Sequence, residues 1–183
     1  MVKKFCLLIC VLFWITTSVS AQRVFLYDGT ANNFYLRYTG QVNQLPSKAV
    51  KPYMYDFKLL QQEPDNKTYM GYIDLPGGVG LSITEKDSKV LCVYVSIYKD
   101  QLNNTRSSNS FKAAIVNSLI VCGIDQIDAV MLCLNMNMTN GNQAVFTRKS
   151  YTHTQNYDRN IGYYVNDDGL FINLFLSAFD DDH

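Results

Sequence analysis

Between residues 53 and 98, apolar and polar residues alternate with a period of two. The alternation runs over 53–60, 68–75 and 81–85, and over 90–98, where Leu91, Val93, Val95 and Ile97 fall on one side and Cys92, Tyr94, Ser96 and Tyr98 on the other. That is the period of a pleated strand, whose successive side chains point to opposite faces. The alternation breaks at QQEPDNK, PGGVG and KDSK, each rich in the residues that favour turns. Upstream, 23–27 and 34–38 read as two further strands joined by DGTANN. Residues 39–52 carry Gly40, Pro46 and Pro52 with no clear period and read as a loop.

One segment has the helical period. Over residues 110–122, Phe111, Ala114, Ile115, Ser118, Leu119 and Cys122 share a face, Ser107, Ser108 and Asn109 offer N-cap side chains, and Gly123 stands where a left-handed C-cap is wanted. The stripe predicts a helix packed on the sheet. Alternation then resumes, with Val130, Leu132, Leu134, Met136 and Met138 opposite Met131, Cys133, Asn135, Asn137 and Thr139. The Asn140-Gly141 pair is a hairpin signal that predicts a partner strand over 143–151. A last hairpin turning at Asp168 and Gly169 would set Val165 opposite Ile172, Tyr163 opposite Leu174 and Ile161 opposite Leu176. The pattern as a whole predicts an α+β fold: a mainly antiparallel β-sheet or two-layer β-sandwich with one amphipathic helix, about residues 110–122, on one face.

The first residues change the picture of where such a fold works. Lys3 and Lys4 precede an apolar run from Phe5 to Ile15, and Val19 and Ala21 suit a cut before Gln22. The run is short of the roughly 20 residues a spanning helix needs, so 1–21 read as a secretory signal peptide and 22–183 as one β-rich domain ending in a short acidic tail, 180–183. The expected location is secreted and extracellular, with no transmembrane segment in the mature chain.

Charge and composition then exclude some partners. The whole chain holds 16 Lys and Arg against 16 Asp and Glu. Loss of Lys3 and Lys4 leaves a slight acidic excess, which argues against nucleic acid or an anionic membrane surface. Glu63 and Glu85 are the only glutamates, whereas Asp, Asn and Tyr are abundant, a bias toward turns and strands.

Candidate chemistry is sparse. Asn66, Asn103 and Asn137 each head an N-x-[ST] sequon, which a secretory chain would expose to glycosylation. Of the five cysteines, Cys6 and Cys10 leave with the signal. If the strands carrying Cys92 and Cys133 are neighbours, both residues point away from the helix, and a Cys92–Cys133 disulfide follows, with Cys122 as the unbridged, buried thiol. Only His153 and His183 are histidines, and His153 reads as a surface residue rather than a catalytic base. No zinc, phosphate-loop, nucleophile-elbow or calcium-loop spacing occurs, so no cofactor is expected. Asp74, Glu85, Asp125 and Asp128 are the carboxylates near element ends from which a hydrolytic pair would have to come. Tyr94 and Tyr98, on one face with Cys92 and Ser96, form either a binding platform or the inner face of a second sheet layer.

The segment VFLYDGTANNFYLRY, residues 24–38, resembles the strand-turn-strand opening of ependymin-related secreted proteins, although the several cysteines of that family are missing. The resemblance implies a β-rich fold with an apolar pocket. The functional expectation is a secreted, N-glycosylated, non-catalytic protein that binds an extracellular protein, a glycan or a small apolar ligand, or joins an extracellular assembly. The alternatives are a secreted hydrolase with an unrecognised carboxylate site and a small-lipid carrier.

Overall fold

Two runs of hairpins meet at the centre of one sheet. A computed structural model describes residues 25–138, 140–147 and 160–179. The signal segment 1–21, residues 23 and 24, Thr139, His153 and the tail 180–183 with His183 lie outside the described residues. The elements in chain order are α1 (Ala31–Gln44), β1 (Tyr55–Gln62), β2 (Lys67–Asp74), β3 (Val79–Lys86), β4 (Lys89–Tyr98), α2 (Thr105–Val121), α3 (Gln126–Asn135), β5 (Gln143–Thr147), β6 (Asn160–Asp167) and β7 (Phe171–Phe179). The seven strands form a single antiparallel sheet ordered β1-β2-β3-β4-β7-β6-β5. The chain leaves the sheet after β4, forms α2 and α3, and re-enters at the far edge to work back until β7 lies beside β4.

The alternation of the sequence maps directly onto the two faces. Leu81, Ile83, Val93, Val95, Ile97, Ile161, Val165, Leu174 and Leu176 are fully buried beneath the helices, whose contribution includes Phe34, Tyr38, Phe111, Ile115 and Leu119. The KDSK turn is a two-residue loop in which Asp87 and Ser88 both take positive φ, 52° and 61°, matching the right-handed twist of the hairpin. Helix α2 begins at an Asn104 cap, whose Oδ1 accepts the N–H groups of Arg106 and Ser107, several residues before the serines expected to cap it. It ends in a Schellman motif: Gly123, at φ 90°, donates to Ile120 O while Ile124 donates to Leu119 O.

Three expectations are corrected. Residues 34–38 are not a strand but part of α1, so the strand-turn-strand reading of 24–38 fails together with the resemblance built on it. Thr30 caps α1 by accepting Asn33 N–H, and Ala31, Phe34, Tyr38 and Val42 are its buried stripe; burial of these large rings outweighs the helix cost of Gly40. Residues 126–135 form helix α3 rather than a strand, capped by Asp125 and buried at Ala129 and Cys133. An apolar run such as AVMLCL satisfies either period, and packing against α2 decides it. The fold is the expected α+β arrangement in its single-sheet form, mainly antiparallel; what changes is the helical layer, which holds three helices among the described residues where one was expected.

The last hairpin keeps its faces but slips its register by two. Val165 pairs with Leu174, Tyr163 with Leu176 and Ile161 with Ala178. Asp168 Oδ1 accepts the N–H groups of Leu170 and Phe171, and Asp167 Oδ1 accepts Gly169 N–H, which builds a longer turn than two residues. A shift of two returns every side chain to the same face, so the apolar pattern cannot tell the two registers apart.

Candidate functional site

Among the described residues the helices cover one face of the sheet and leave the other open. On that open face β4 presents Cys92, Tyr94, Ser96 and Tyr98, and β7 presents Ser177, Phe175, Asn173 and Phe171 as their cross-strand partners. The rows continue outward: Ser82 and Met70 extend the Tyr94 row on one side and Tyr164 on the other, while Gly80 and Tyr72 extend the Ser96 row toward β2 and Asn166 extends it on β6. Aromatic rows thus alternate with rows of Ser, Asn and Gly. Tyr94 and Phe175 meet edge to face with ring centroids 4.4 Å apart, Phe175 and Tyr164 lie 6.0 Å apart, and Tyr98 stacks on Phe171 at 4.7 Å. Such pairs hold each ring in place through favourable quadrupole geometry.

No second sheet among the described residues covers this face, so the reading of Tyr94 and Tyr98 as an inner layer is corrected. Its side chains are half-buried by one another, and Tyr164 is 42 % exposed. The central residues of these rows carry no charge; Lys58 continues the Tyr94 row beyond Met70 on the edge strand β1, and Asp168, hydrogen-bonded to Asn173 Nδ2 at 3.1 Å, stands at the rim. Beside Tyr94, Cys92 Sγ lies 3.0 Å from the tyrosine hydroxyl. Burial pushes the Cys92 thiol up from its ordinary range and raises the Tyr94 hydroxyl to about 12, so both hold their protons at neutral pH. The face can offer ring surfaces, hydroxyls and amides, but neither a nucleophilic thiolate nor a general base. Sequence reasoning found Tyr94, Tyr98, Cys92 and Ser96. It did not set Phe171, Phe175 and Tyr164 beside them, because that adjacency depends on β7 pairing with both β4 and β6.

The chain has no match among protein-family models, curated proteins or solved structures.

The carboxylates are not gathered into a site. Asp74 is buried at the end of β2 and accepts Ser107 Oγ at 3.0 Å, and Glu85 is buried on β3 and accepts the Ala31 N–H at 2.7 Å. Asp74 pairs with Val79, six residues along β3 from Glu85, a separation of roughly 20 Å at the rise of a strand, twice what a carboxylate pair can span. Asp125 is exposed and caps α3, and Asp128 is exposed in its first turn. Among the described residues no cluster of three or more His, Cys, Asp or Glu could hold a metal ion, and no helix is long and apolar enough to cross a membrane.

Cys92 and Cys133 are separate thiols, and the disulfide expected between them is corrected. The strands flanking β4 are β3 and β7, whereas Cys133 lies on α3 with its Sγ 3.6 Å from Lys112 O of α2, on the helical side of the sheet. Cys122 is buried at the C-cap of α2. Of the sequon asparagines, Asn103 is exposed in the link before α2, Asn137 is exposed between α3 and β5 rather than on a strand, and Asn66 is half-buried in the β1–β2 turn.

Proposed function

We propose that the protein is a secreted, N-glycosylated, non-catalytic binding protein whose open sheet face takes an uncharged glycan. The observation that carries this reading is the row Tyr94–Phe175–Tyr164, held by ring-to-ring contacts with hydroxyl and amide rows beside it. Sugar rings offer flat C–H surfaces that stack on aromatic rings, with hydroxyls at their edges that pair with Ser and Asn; tyrosine supplies both kinds of contact at small entropic cost. A phosphate-bearing or acidic ligand finds no cation beside the Tyr94–Phe175–Tyr164 rings, since the nearest on that row, Lys58, stands beyond Ser82 and Met70 on the edge strand β1. The secretory reading is supported by the apolar run and small residues before Gln22, and the glycan sites by the exposure of Asn103 and Asn137. A non-catalytic role is favoured because Asp74 and Glu85, the buried carboxylates, are each engaged in tying a helix to the sheet.

The test is a panel of neutral and acidic oligosaccharides, titrated against protein secreted from eukaryotic cells. The expected result is binding within the neutral set that survives high salt and weakens at least tenfold in Tyr164→Ala, an exposed position whose loss leaves the core intact. Binding confined to sulfated or uronic sugars, no binding at all, or binding indifferent to Tyr164→Ala and Tyr94→Ala would overturn the proposal. N-terminal sequencing and the mass lost on amidase treatment check secretion and glycosylation separately.

A further inference from the structure

Helix α3 buries only one side. Ala129 and Cys133 face α2, while Ile127, Met131 and Leu134 are 74 %, 53 % and 66 % exposed and Val130 is also exposed. These four residues sit at i, i+3, i+4 and i+7 and so form one continuous stripe. An isolated helix of this length is marginal in water, and an apolar stripe of this kind marks an interaction site more often than a free surface. Of the other exposed large apolar side chains, Leu36, Leu75 and Leu170 stand singly, and Tyr55, Leu59 and Leu60 are spread along the edge strand β1.

We infer that the α3 stripe is the interface for a second copy of this chain, packed antiparallel across a two-fold axis that passes between Val130 and Met131. Under that axis Ile127 of one copy meets Leu134 of the other, and Val130 meets Met131, so the stripe is its own complement. The charges fit the same axis. Asp128 of one copy falls opposite position 133 of the other, where Cys133 lies against the Lys112 backbone and Lys112 is exposed on α2 with no ion pair among the described residues. The Lys112 ammonium is near enough to Cys133 to act on its thiol, which puts the positive charge at that end of the stripe. The antiparallel packing also sets the positive end of each α3 beside the negative end of its mate, the favourable arrangement of helix dipoles. Other occupants fit less well. An anionic membrane surface would meet two aspartates and no basic residue on α3, and a glycan would find no aromatic ring there.

A single helix pair is a small interface, at the low end of specific association, so the dimer is expected to be reversible with a dissociation constant in the micromolar range. Sedimentation equilibrium of the full secreted chain from about 1 to 200 μM reads it. The expected result is a monomer–dimer equilibrium weakened more than tenfold by Met131→Asp and by Leu134→Lys, with unchanged circular dichroism because both side chains are exposed. Asp128→Lys and Lys112→Asp should each weaken the dimer, and the double variant should restore it, which loss of folding would not do. A wild-type chain that stays monomeric throughout the range, whether or not it binds anionic vesicles, overturns the inference. So does a dimer indifferent to the stripe variants, or a charge swap that fails to restore association.

Discussion

Glu85 on β3 and Ala31 at the start of α1 are 54 residues apart in sequence and joined by a 2.7 Å hydrogen bond from the Ala31 N–H to Glu85 Oε2. The carboxylate is buried and meets the positive end of the helix, where the first N–H groups have no partner within the helix. It fixes where α1 lies over the sheet, and with it the placement of Phe34 and Tyr38 in the core.

Replacing that carboxylate is therefore a test of how the helical layer is attached. Glu85→Ala should cost about 2–3 kcal/mol, the penalty for removing a charged acceptor from a buried donor, and Glu85→Gln about half as much, since an amide oxygen still accepts. Urea denaturation checks both. Equal stability of Glu85→Ala and the parent would contradict the role assigned to the contact.

Gly77 guards the second attachment, between Ser107 at the start of α2 and Asp74 at the end of β2. A Cβ on Gly77 would stand 2.3 Å from Ser107 Oγ and 2.8 Å from Asp74 Oδ2, so Gly77→Ala must push the pair apart. The expected loss is about 1–3 kcal/mol. In Ser107→Gly the same glycine substitution should cost measurably less, because both the hydroxyl and the Ser107 Cβ, which would stand 2.6 Å away, are gone, and a double-mutant cycle gives the coupling.

Burial raises the Cys133 thiol from 9.0 to about 11, with the Lys112 charge opposing it. The fold thus favours the protonated thiol. Its contribution to stability is fully present below pH 9, declines above it as the unfolded chain ionises first, and is lost as pH rises through about 11. The difference is on the order of 2 kcal/mol. Thermal melts from pH 8 to pH 11 should fall accordingly, with a shallower fall in Cys133→Ala; parallel curves for the two proteins would refute the assignment.

Leu174 and Leu60 separate the two halves of the sheet. Leu174, fully buried between β4 and β6, should cost about 2–5 kcal/mol on change to alanine, while Leu60, 59 % exposed on the edge strand β1, should change stability by no more than about 0.5 kcal/mol. Paired denaturation curves decide this. Similar losses at both positions would mean that β1 is covered by something more.

The sequence alone determined the local geometry: the strands from residue 55 to 98 and their turns, the left-handed Gly123 that stops α2, and the sorting of side chains onto two faces. These depend on backbone preferences and a period of two, which a short window contains. Only the tertiary structure decided that residues 31–44 and 126–135 are helices, because aromatic and apolar runs suit either period until a neighbour buries one side. Only it seated β7 beside β4, which separates Cys92 from Cys133 and brings Tyr94, Phe175 and Tyr164 into one row. Strand adjacency and a two-residue register slip leave no trace in a local pattern, since both preserve which face each side chain takes. They are set by the helices, which must cover the apolar face and leave the aromatic one open.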